Sequence, residues 1–331
     1  MSLDMTTNYL GLKLRHPVMS GASPLADDLD NVRRLEDAGA AAICLRSLFE
    51  EQLSAQQMAS HRYMDSASDG HAEALNYFPA TADFALGPDA YLEQIAKIRD
   101  AVDIPVIASL NGVSRGGWTR HATLIQEAGA HALELNMYTL ASDPDVSGAD
   151  VETQQVEVVR AVRDKLTIPL AVKLSPFYSA LPNFVRELEG AGVNGVILFN
   201  RLYEPDIDPE ELELDRTLHL STPEELLLRL RWLAILSSRT QLSLAASGGV
   251  HSAHGALKAI MAGASGVQMV SALLRHGIEH LTLVVQQLFD WFDDHGYESV
   301  TEARGSMDDS RAPNPSAYER ANYVQLLQGG H

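Results

Sequence analysis

The chain of 331 residues is predicted to fold as an α/β protein, a TIM (β/α)8 barrel, from three observations. First, short apolar segments of strand length alternate eight times with helical patterns. Second, one phrase recurs four times, in which a helix stops at a glycine and an apolar strand follows. Third, a second phrase alternates with it and places proline at the start of the strand in three of its four copies. The glycines of the first phrase are Gly39, Gly129, Gly192 and Gly263.

Taken in order, these phrases place eight strands and eight helices along the chain. The strands are expected at about 17–20, 41–46, 105–109, 132–136, 169–174, 195–200, 241–247 and 266–271. The helices are expected at about 28–38, 89–102, 118–128, 151–165, 181–190, 223–237, 252–262 and 273–291. Short, uniformly apolar strands indicate a parallel sheet covered by helices, and eight strands close a TIM barrel. The alternative, an open doubly wound sheet, predicts a less regular alternation.

The sequence predicts a single domain over residues 1–331, with two interruptions of the barrel pattern. Residues 48–88 separate the second strand from the second helix, and residues 201–222 follow the sixth strand. Both are strand-to-helix connections, which lie on the face where barrel active sites are built. They are therefore predicted as insertions at the barrel mouth, with 48–88 contributing a lid. A further outer helix is expected at about 315–327.

The charge and the cysteine content exclude several kinds of partner and site. With 44 acidic and 25 basic residues, the net charge of −19 disfavours nucleic acid and anionic membrane surfaces. The one cysteine, Cys44, lies in an apolar run and is predicted to be a core residue. It cannot by itself provide a disulfide or an iron–sulfur site. Because the sequence shows neither a signal peptide pattern nor an apolar run of membrane-spanning length, a cytoplasmic location is expected.

Polar and small residues follow the predicted strands at their carboxyl ends, where barrel enzymes place their chemistry. They make a ring of amides and hydroxyls with two cations. The ring has no cluster of histidines and carboxylates suited to a metal, so no metal is expected. Its members are Ser20, Ala22, Ser23, Arg46, Ser47, Ser109, Asn111, Asn136, Lys173, Ser175, Asn200, Ser271 and Ala272.

The loops after the seventh and eighth strands predict a phosphate site. Gly248 and Gly249 in "AASGGVHS" allow the backbone to approach an oxyanion, and the following helix directs its first N–H groups outward. Ser271 and Ala272 in "MVSALL" add amides beside them. The alternative is a tight turn that merely needs glycine. The pairing of the two loops favours phosphate, because these loops form the usual phosphate site of the fold.

Lys173 in "AVKLSP" stands out because lysine is rare in a buried strand unless it has a partner. It fits a Schiff-base nucleophile, a phosphate ligand, or a cation that stabilises negative charge on a cofactor ring. The alternative is a lysine at the strand tip that extends to water. Asn136 and Asn200, together with Asn111 and Asn76, suggest a site that reads imide or carboxyl groups. Each asparagine alone is more typical of a turn.

The order of these motifs resembles the dihydroorotate dehydrogenases, particularly the soluble class 1 branch. The motifs are "ELN" at the fourth strand, "VKL" at the fifth, "FN" at the sixth, "SGGV" at the seventh and "GASGVQMVSALL" at the eighth. The resemblance spans residues 8 to about 290. It implies an FMN-binding TIM barrel of pyrimidine biosynthesis that removes a hydride and a proton from a dihydropyrimidine.

The resemblance also implies roles for individual residues. Lys173 would contact the flavin near its N1/O2 edge. Asn136 and Asn200 match amides that hold the pyrimidine beside the flavin, and Asn76 matches a loop amide that binds substrate. The residues implied to bind FMN, the last four of them at its phosphate, are Ala22, Ser23, Arg46, Ser47, Asn111, Asn136, Lys173, Asn200, Gly248, Gly249, Ser271 and Ala272.

The chain departs from the family pattern at two places in the predicted mouth. Arg46 and Ser47 replace the Lys-Ser of the family, which keeps the charge but not the geometry. The loop after the fourth strand lacks the Ser-Cys-Pro-Asn or Ser-Ser-Pro-Asn run that carries the general base. Without a gap, Thr139 lies near that position; with a four-residue insertion, "SDPDVSG" places Asp143 there. Thr139, Asp143 and Lys173 are therefore the candidate catalytic residues.

Three functions stay open on the sequence alone. The first is an FMN-dependent oxidoreductase that oxidises dihydroorotate or a related cyclic amide by hydride transfer to flavin N5. The second is a Schiff-base lyase or aldolase that uses Lys173. The third is a non-catalytic flavin-binding homologue. The resemblance also implies a homodimer, and an electron acceptor that is either fumarate or NAD reached through a separate iron–sulfur partner subunit.

Overall fold

A computed structural model describes residues 3–49, 88–111, 115–137, 140–201, 204–215, 217 and 219–319. The strands are β1 (Thr7–Tyr9), β2 (Leu12–Leu14), β3 (Val18–Ser20), β4 (Ile43–Phe49), β5 (Val106–Asn111), β6 (Ala132–Asn136), β7 (Leu170–Leu174), β8 (Gly195–Leu198), β9 (Asp206–Asp208), β10 (Glu213–Asp215), β11 (Ser243–Ser247) and β12 (Gly266–Met269). The helices are α1 (Leu29–Asp37), α2 (Pro88–Ala101), α3 (Arg115–Glu127), α4 (Gly148–Arg163), α5 (Leu181–Gly190), α6 (Leu226–Ser237), α7 (Ala253–Met261), α8 (Ser271–His276), α9 (His280–Asp294), α10 (Val300–Ala303) and α11 (Ser316–Glu319).

The predicted TIM barrel is confirmed. Strands β3 to β8, followed by β11 and β12, form a closed barrel of eight parallel strands, and β12 returns to pair with β3. Pro17, Pro105 and Pro169 immediately precede β3, β5 and β7, where the missing N–H removes no ladder hydrogen bond. The four glycines predicted to end helices have φ of +104°, +96°, +87° and +118° at Gly39, Gly129, Gly192 and Gly263.

The prediction of one helix over 273–291 was wrong, because two helices occupy this part of the chain. Gly277 ends α8 with φ +88°, and its N–H donates to the carbonyl of Leu273. The chain turns at Gly277 and starts again as α9 at His280. The predicted helix over 223–237 also begins differently, because a 3-10 turn over Pro223–Glu225 precedes α6.

The antiparallel hairpin of β1 and β2 was not predicted, and it closes the lower end of the barrel. Tyr9 and Leu10 pack against the small inward residues of the barrel strands. Glycines at the start of β8 and β12 leave room for these two side chains. A Cβ on Gly195 would lie 2.5 Å from Leu10, and a Cβ on Gly266 would lie 3.1 Å from the Tyr9 ring. The hairpin therefore fills the end of the barrel that lies opposite the carboxyl ends of its strands.

The segments predicted as insertions are only partly described by the structure. In 201–222, strands β9 and β10 form an antiparallel hairpin. Residues 50–87, which make up most of the predicted lid, lie outside the described residues. Helix α11 covers the start of the predicted outer helix, and residues 320–327 lie outside the described part of the chain. Among the helices that the structure describes, none is long and apolar enough to cross a membrane.

Candidate active site

Alternation along the barrel strands directs every second side chain into the barrel, and the upper inward positions are polar. On β6, Leu133 and Leu135 pack outward in the core between strands and helices, whereas Ala132 lies in the inner cluster with Tyr9. Glu134 and Asn136 follow Ala132 at two-residue intervals and therefore also point inward. The register pairs Asn136 with Lys173 of β7, which brings the predicted amide and cation to the same level of the mouth.

Lys173 lies between two oxygen acceptors and is buried. Its Nζ donates to Glu134 Oε1 at 3.1 Å and to Gln268 Oε1 at 2.9 Å, and Gln268 Nε2 donates to Glu134 Oε2 at 2.6 Å. The three side chains thus form a closed ring of hydrogen bonds, and Lys173 is only 6% exposed. The alternative of a lysine that extends to water is wrong. An ammonium has three donors, so one N–H of Lys173 remains for another acceptor.

Asn136 holds a cluster of hydroxyls beside Lys173. Its Nδ2 donates to Ser47 and, at 3.0 Å, to Ser109 Oγ, and the two hydroxyls bond each other at 2.9 Å. This arrangement fixes the amide so that Oδ1 is left over. Asn136 Oδ1 is buried and has no hydrogen-bond partner within the described residues. A donor from a ligand would satisfy this oxygen.

Ser23, in the turn after β3, carries a second unsatisfied oxygen. Its Oγ is buried without a partner among the described residues, and the neighbouring Ala22 is half-buried against the inner cluster. A buried polar atom without a hydrogen bond costs about 1–3 kcal/mol. Ser23 and Asn136 both lie in or next to barrel strands at the mouth end, so a polar ligand in the mouth accounts for both atoms.

The predicted phosphate loops are adjacent in the structure. Gly248 and Gly249 have φ of +87° and +81°, and Ser221 Oγ accepts the N–H of Gly249 at 3.2 Å. The same Ser221 hydroxyl donates to Ser271 Oγ at 2.8 Å, and Ser271 begins α8 next to Ala272. A Cβ on Gly249 would lie 2.4 Å from the backbone nitrogen of Leu226, so this loop has room only for glycine.

A buried arginine supports the glycine loop from behind. Arg229 of α6 donates from Nε to the carbonyl of Ser247 at 3.0 Å and from Nη1 to the carbonyl of Glu225 at 2.7 Å. A Cβ on Gly248 would lie 2.9 Å from Arg229 Nη2. The guanidinium also pairs with Glu225 Oε2 at 3.7 Å, and it therefore fixes the end of β11 behind the predicted phosphate site.

Arg46 and the asparagines at the strand ends have different surroundings. Arg46 Nη2 pairs with Asp27 Oδ2 at 3.2 Å. Burial raises the pKa of Asp27, and the charge of Arg46 opposes that shift. Asn111 and Asn200 are half-buried at the ends of β5 and β8, and the Asn200 N–H donates to the carbonyl of Leu174 at 2.7 Å. Both amides thus lie at the mouth.

Three of the predicted site residues lie in loops beyond the strands: the two candidate bases and one substrate amide. Of these three, only Asp143 is among the described residues. Its side chain is exposed, and Oδ1 accepts the backbone N–H of Asp145 at 2.9 Å in a local turn. The loop then enters α4 through a capping box between Ser147 and Asp150. Thr139 and Asn76 lie outside the described residues, so their roles stay predictions.

Four residues of the mouth were not predicted, and two of them had a readable signal. Glu134 in "ALELN" and Gln268 in "GVQMV" are polar residues at inward positions of otherwise apolar strands, two residues and one residue before the strand end. A polar residue in such a position needs a partner from another strand. Ser221 and Arg229 had no such signal, because they lie in a loop and in an ordinary helical pattern.

Comparison with known proteins places the chain in a family. The family model described as "Dihydroorotate dehydrogenase" matches residues 5–291. The chain is 25% identical to the "Dihydroorotate dehydrogenase B (NAD(+)), catalytic subunit" of Thermoplasma acidophilum, over 91% of this chain and 98% of that protein. It is 27% identical to the protein of the same name from Geobacter sp. (strain M21), over 92% of this chain and 98% of that protein. The chain therefore belongs to the dihydroorotate dehydrogenase family, whose members are oxidoreductases that act on CH–CH bonds.

Proposed function

We propose that this protein is an FMN-dependent oxidoreductase that oxidises dihydroorotate or a related dihydropyrimidine or cyclic amide. The observation that carries the proposal is the pairing of Lys173, with one free N–H, and Asn136, with an unsatisfied Oδ1, at the same level of the barrel mouth. A planar heterocycle with both acceptors and donors at its edge matches these two groups. Family membership supports the reaction class.

The residues present fit FMN at both ends of the molecule. Gly248 and Gly249 carry no side chains at the end of β11, and Ser271 and Ala272 lie beside them, joined to this turn by Ser221, whose hydroxyl accepts the Gly249 N–H. Gly248, Gly249, Ser271 and Ala272 would hold the phosphate, and Arg229 supports the turn from behind through the carbonyl of Ser247. Towards the flavin ring, the free donor of Lys173 and the unsatisfied Ser23 hydroxyl are available, and the remaining proposed contacts are Ala22, Arg46, Ser47, Asn111, Asn136 and Asn200.

When bound, FMN supplies the acceptor for a hydride from the substrate carbon. The chain's own residues have three tasks in this proposal. Asn136 and Asn200, with Asn76 from the segment after β4, hold the imide edge of the substrate. Lys173, whose side chain is buried, places a positive charge where negative charge develops. A carboxylate oxygen of Asp143 takes the proton, or the hydroxyl oxygen of Thr139 takes it while passing its own proton to water.

A separate electron acceptor is part of the same proposal. The chain has one cysteine, Cys44, and it is buried in the barrel. An iron–sulfur cluster held by cysteines would therefore be carried by another chain. Assembly into a homodimer is likewise proposed from family resemblance.

The Schiff-base alternative is disfavoured by the position of Lys173. A lyase needs this nitrogen free to attack a carbonyl carbon. Nζ is instead held between Glu134 and Gln268 as a double donor.

The proposal is tested by purifying the protein and identifying the bound flavin by its absorption and by mass spectrometry after release. Under anaerobic conditions, the oxidised flavin is then titrated with dihydroorotate and, separately, with dihydrouracil. We expect one FMN per chain and bleaching of its visible absorption by at least one of these substrates. A colourless protein that takes up no added FMN would refute flavin binding. FMN that neither compound reduces would refute the proposed substrate class.

A further inference from the structure

Glu134 is a fully buried carboxylate in the barrel mouth, and the proposed function gives it no task. Its Oε1 accepts from Lys173 Nζ at 3.1 Å, and its Oε2 accepts from Gln268 Nε2 at 2.6 Å. Gln268 in turn accepts from Lys173 at 2.9 Å. Every side-chain oxygen of Glu134 and Gln268 is thereby used, and the ammonium of Lys173 is held in one orientation.

The groups beneath the ring carry no charge that would alter this balance. Cys44 Sγ donates to Glu134 Oε2 at 3.6 Å, and Tyr9 packs below it. Burial, reinforced by the charge of Glu134, raises the pKa of both the Cys44 thiol and the Tyr9 phenol well above their usual values. Both groups are therefore neutral at neutral pH. Within the described residues, Lys173 is the cation in contact with Glu134, so the ring holds one positive and one negative charge.

The pair is not explained by stability. Burying two charges costs several kcal/mol per ion, and their attraction roughly offsets that cost. A lysine alone, or a lysine beside neutral amides, would place more positive charge in the mouth. The presence of Glu134 reduces the field that Lys173 exerts upward, while the hydrogen bonds to Glu134 and Gln268 keep the third N–H in a fixed direction.

We propose that Glu134 is a positioning residue that both orients Lys173 and partly cancels its charge, and that it thereby limits the electron affinity of the bound flavin. This inference rests on the proposed function. A reduced flavin carries negative charge at its N1–C2=O edge, which a cation stabilises and an anion destabilises. In a buried site, such charges act with little screening by solvent. A flavin that is less oxidising passes its electrons more readily to the next acceptor.

The test measures the affinity of the holoprotein for sulfite. Sulfite adds through its sulfur lone pair to flavin N5, and the electron pair moves to the N1 edge, so the adduct reports negative charge at that edge. In Glu134→Gln, we expect the sulfite dissociation constant to fall about tenfold or more, because a buried unit charge acts with little screening by solvent. For a two-electron couple, tenfold corresponds to a positive shift of about 30 mV in reduction potential.

Gln268→Met is the matched control, because it removes hydrogen bonds from the same ring without changing its charge. We expect its sulfite affinity to change by less than about threefold, because loss of a neutral amide alters the electrostatic potential at the flavin less than loss of a unit charge. Equal shifts in Glu134→Gln and Gln268→Met would overturn the proposal in favour of hydrogen-bonding geometry. An unchanged sulfite affinity in Glu134→Gln would overturn it as well.

A second comparison uses FMN retention as its readout, so it stays informative where a variant binds the flavin weakly. Lys173→Met leaves the carboxylate of Glu134 buried without a cation, whereas the double variant Lys173→Met/Glu134→Gln removes both charges. We expect FMN retention, measured by equilibrium dialysis, to be several-fold greater in the double variant. Retention that is no better in the double variant contradicts charge compensation. A wild-type protein that binds no flavin refutes the proposed function, which separates the two failures.

Discussion

Lys173 keeps one ammonium donor available after its bonds to Glu134 and Gln268. Removing it should therefore affect reduction of the flavin more than retention of its phosphate. In Lys173→Met, we expect the rate of flavin reduction by substrate to fall by about 100-fold or more, comparable to losing one preorganised donor. Stopped-flow absorbance on FMN-reconstituted protein measures this rate. Lys97→Met, on the exposed face of α2, is the control, and a normal rate in Lys173→Met would contradict the assignment.

Asp143 has an exposed carboxylate in the loop that follows the Asn136 strand. If it takes the substrate proton, Asp143→Asn should lower turnover by about 100-fold to 10,000-fold, the range for a general base. Flavin content should stay at the wild-type level. Asp164→Asn, an exposed change after α4, is the control. Full turnover in Asp143→Asn combined with loss in Thr139→Val would move the role to Thr139.

His16 is buried between two backbone groups that fix it as neutral. Nε2 bonds the carbonyl of Gly39 at 2.8 Å, so it is the donor, and Nδ1 accepts the N–H of Val18 at 3.2 Å. Burial lowers the pKa of His16 to about 4, below its usual 6.5. Between these values the unfolded chain binds the proton and the folded protein does not. The free energy of unfolding should therefore fall as pH drops from about 6.5 to 4, by about 3 kcal/mol.

Urea unfolding at pH 7, 5.5 and 4 measures this dependence. His16→Asn should be less stable at pH 7 and should show a shallower loss towards pH 4, because the titrating group is gone. His254→Gln, at an exposed position of α7, should keep the wild-type slope. An unchanged slope in His16→Asn would show that other groups dominate acid unfolding.

At the level of single residues, the sequence predicts some of the polar side chains at the barrel mouth and misses others. Lys173 and Asn136 were readable because a polar residue in an apolar strand stands out. Glu134 obeys the same rule, but it lies two residues before the strand end, inside the strand rather than at its tip. The hydroxyl of Ser221, which links the two phosphate loops, depends on a tertiary contact that local sequence does not encode.

The turn between β11 and α7 is the element on which the proposed phosphate binding depends. Gly249→Val should empty the protein of flavin, because φ is +81° and the new Cβ would lie 2.4 Å from the backbone of Leu226. Gly11→Val is a matched control, since Gly11 also has positive φ (+84°) but a Cβ there meets nothing within 4 Å. Flavin absorbance after gel filtration and circular dichroism are the measurements. Full flavin content in a folded Gly249→Val protein would refute the assignment.

The strands and helices that were predicted correctly are those whose ends carry a local sequence signal. Proline before β3, β5 and β7 and glycine after the helices are local signals, and local signals suffice when every strand is apolar throughout. The break between α8 and α9 depends on Gly277 within an otherwise helical pattern, which periodicity alone does not reveal. The strands of the β1–β2 hairpin have three residues each, too short for a pattern to be recognised.

On the scale of the whole molecule, Tyr9 joins the N-terminal hairpin to the inside of the barrel. It is 1% exposed, and a Cβ on Gly266 would lie 3.1 Å from its ring. Tyr9→Ala should lower the free energy of unfolding by about 3–5 kcal/mol, as for other large aromatic residues in a core. Tyr9→Phe keeps the ring and should cost no more than about 1.5 kcal/mol. Denaturant unfolding measures both, and a similar loss in the two variants would assign the effect to the hydroxyl.

The pairing of β12 with β3 joins the last barrel strand to the first, through partners such as Val267 and Val18. The ribosome synthesises the chain from its N-terminus to its C-terminus. Strand β3 therefore cannot pair with β12 until almost the whole barrel has been synthesised. Until then the growing sheet has two open edges, which are templates for pairing with other chains. Gly249 and Ser271 also belong to this late portion. A chain truncated before β12 would therefore have exposed sheet edges and would lack the Ser271–Ala272 half of the proposed phosphate site.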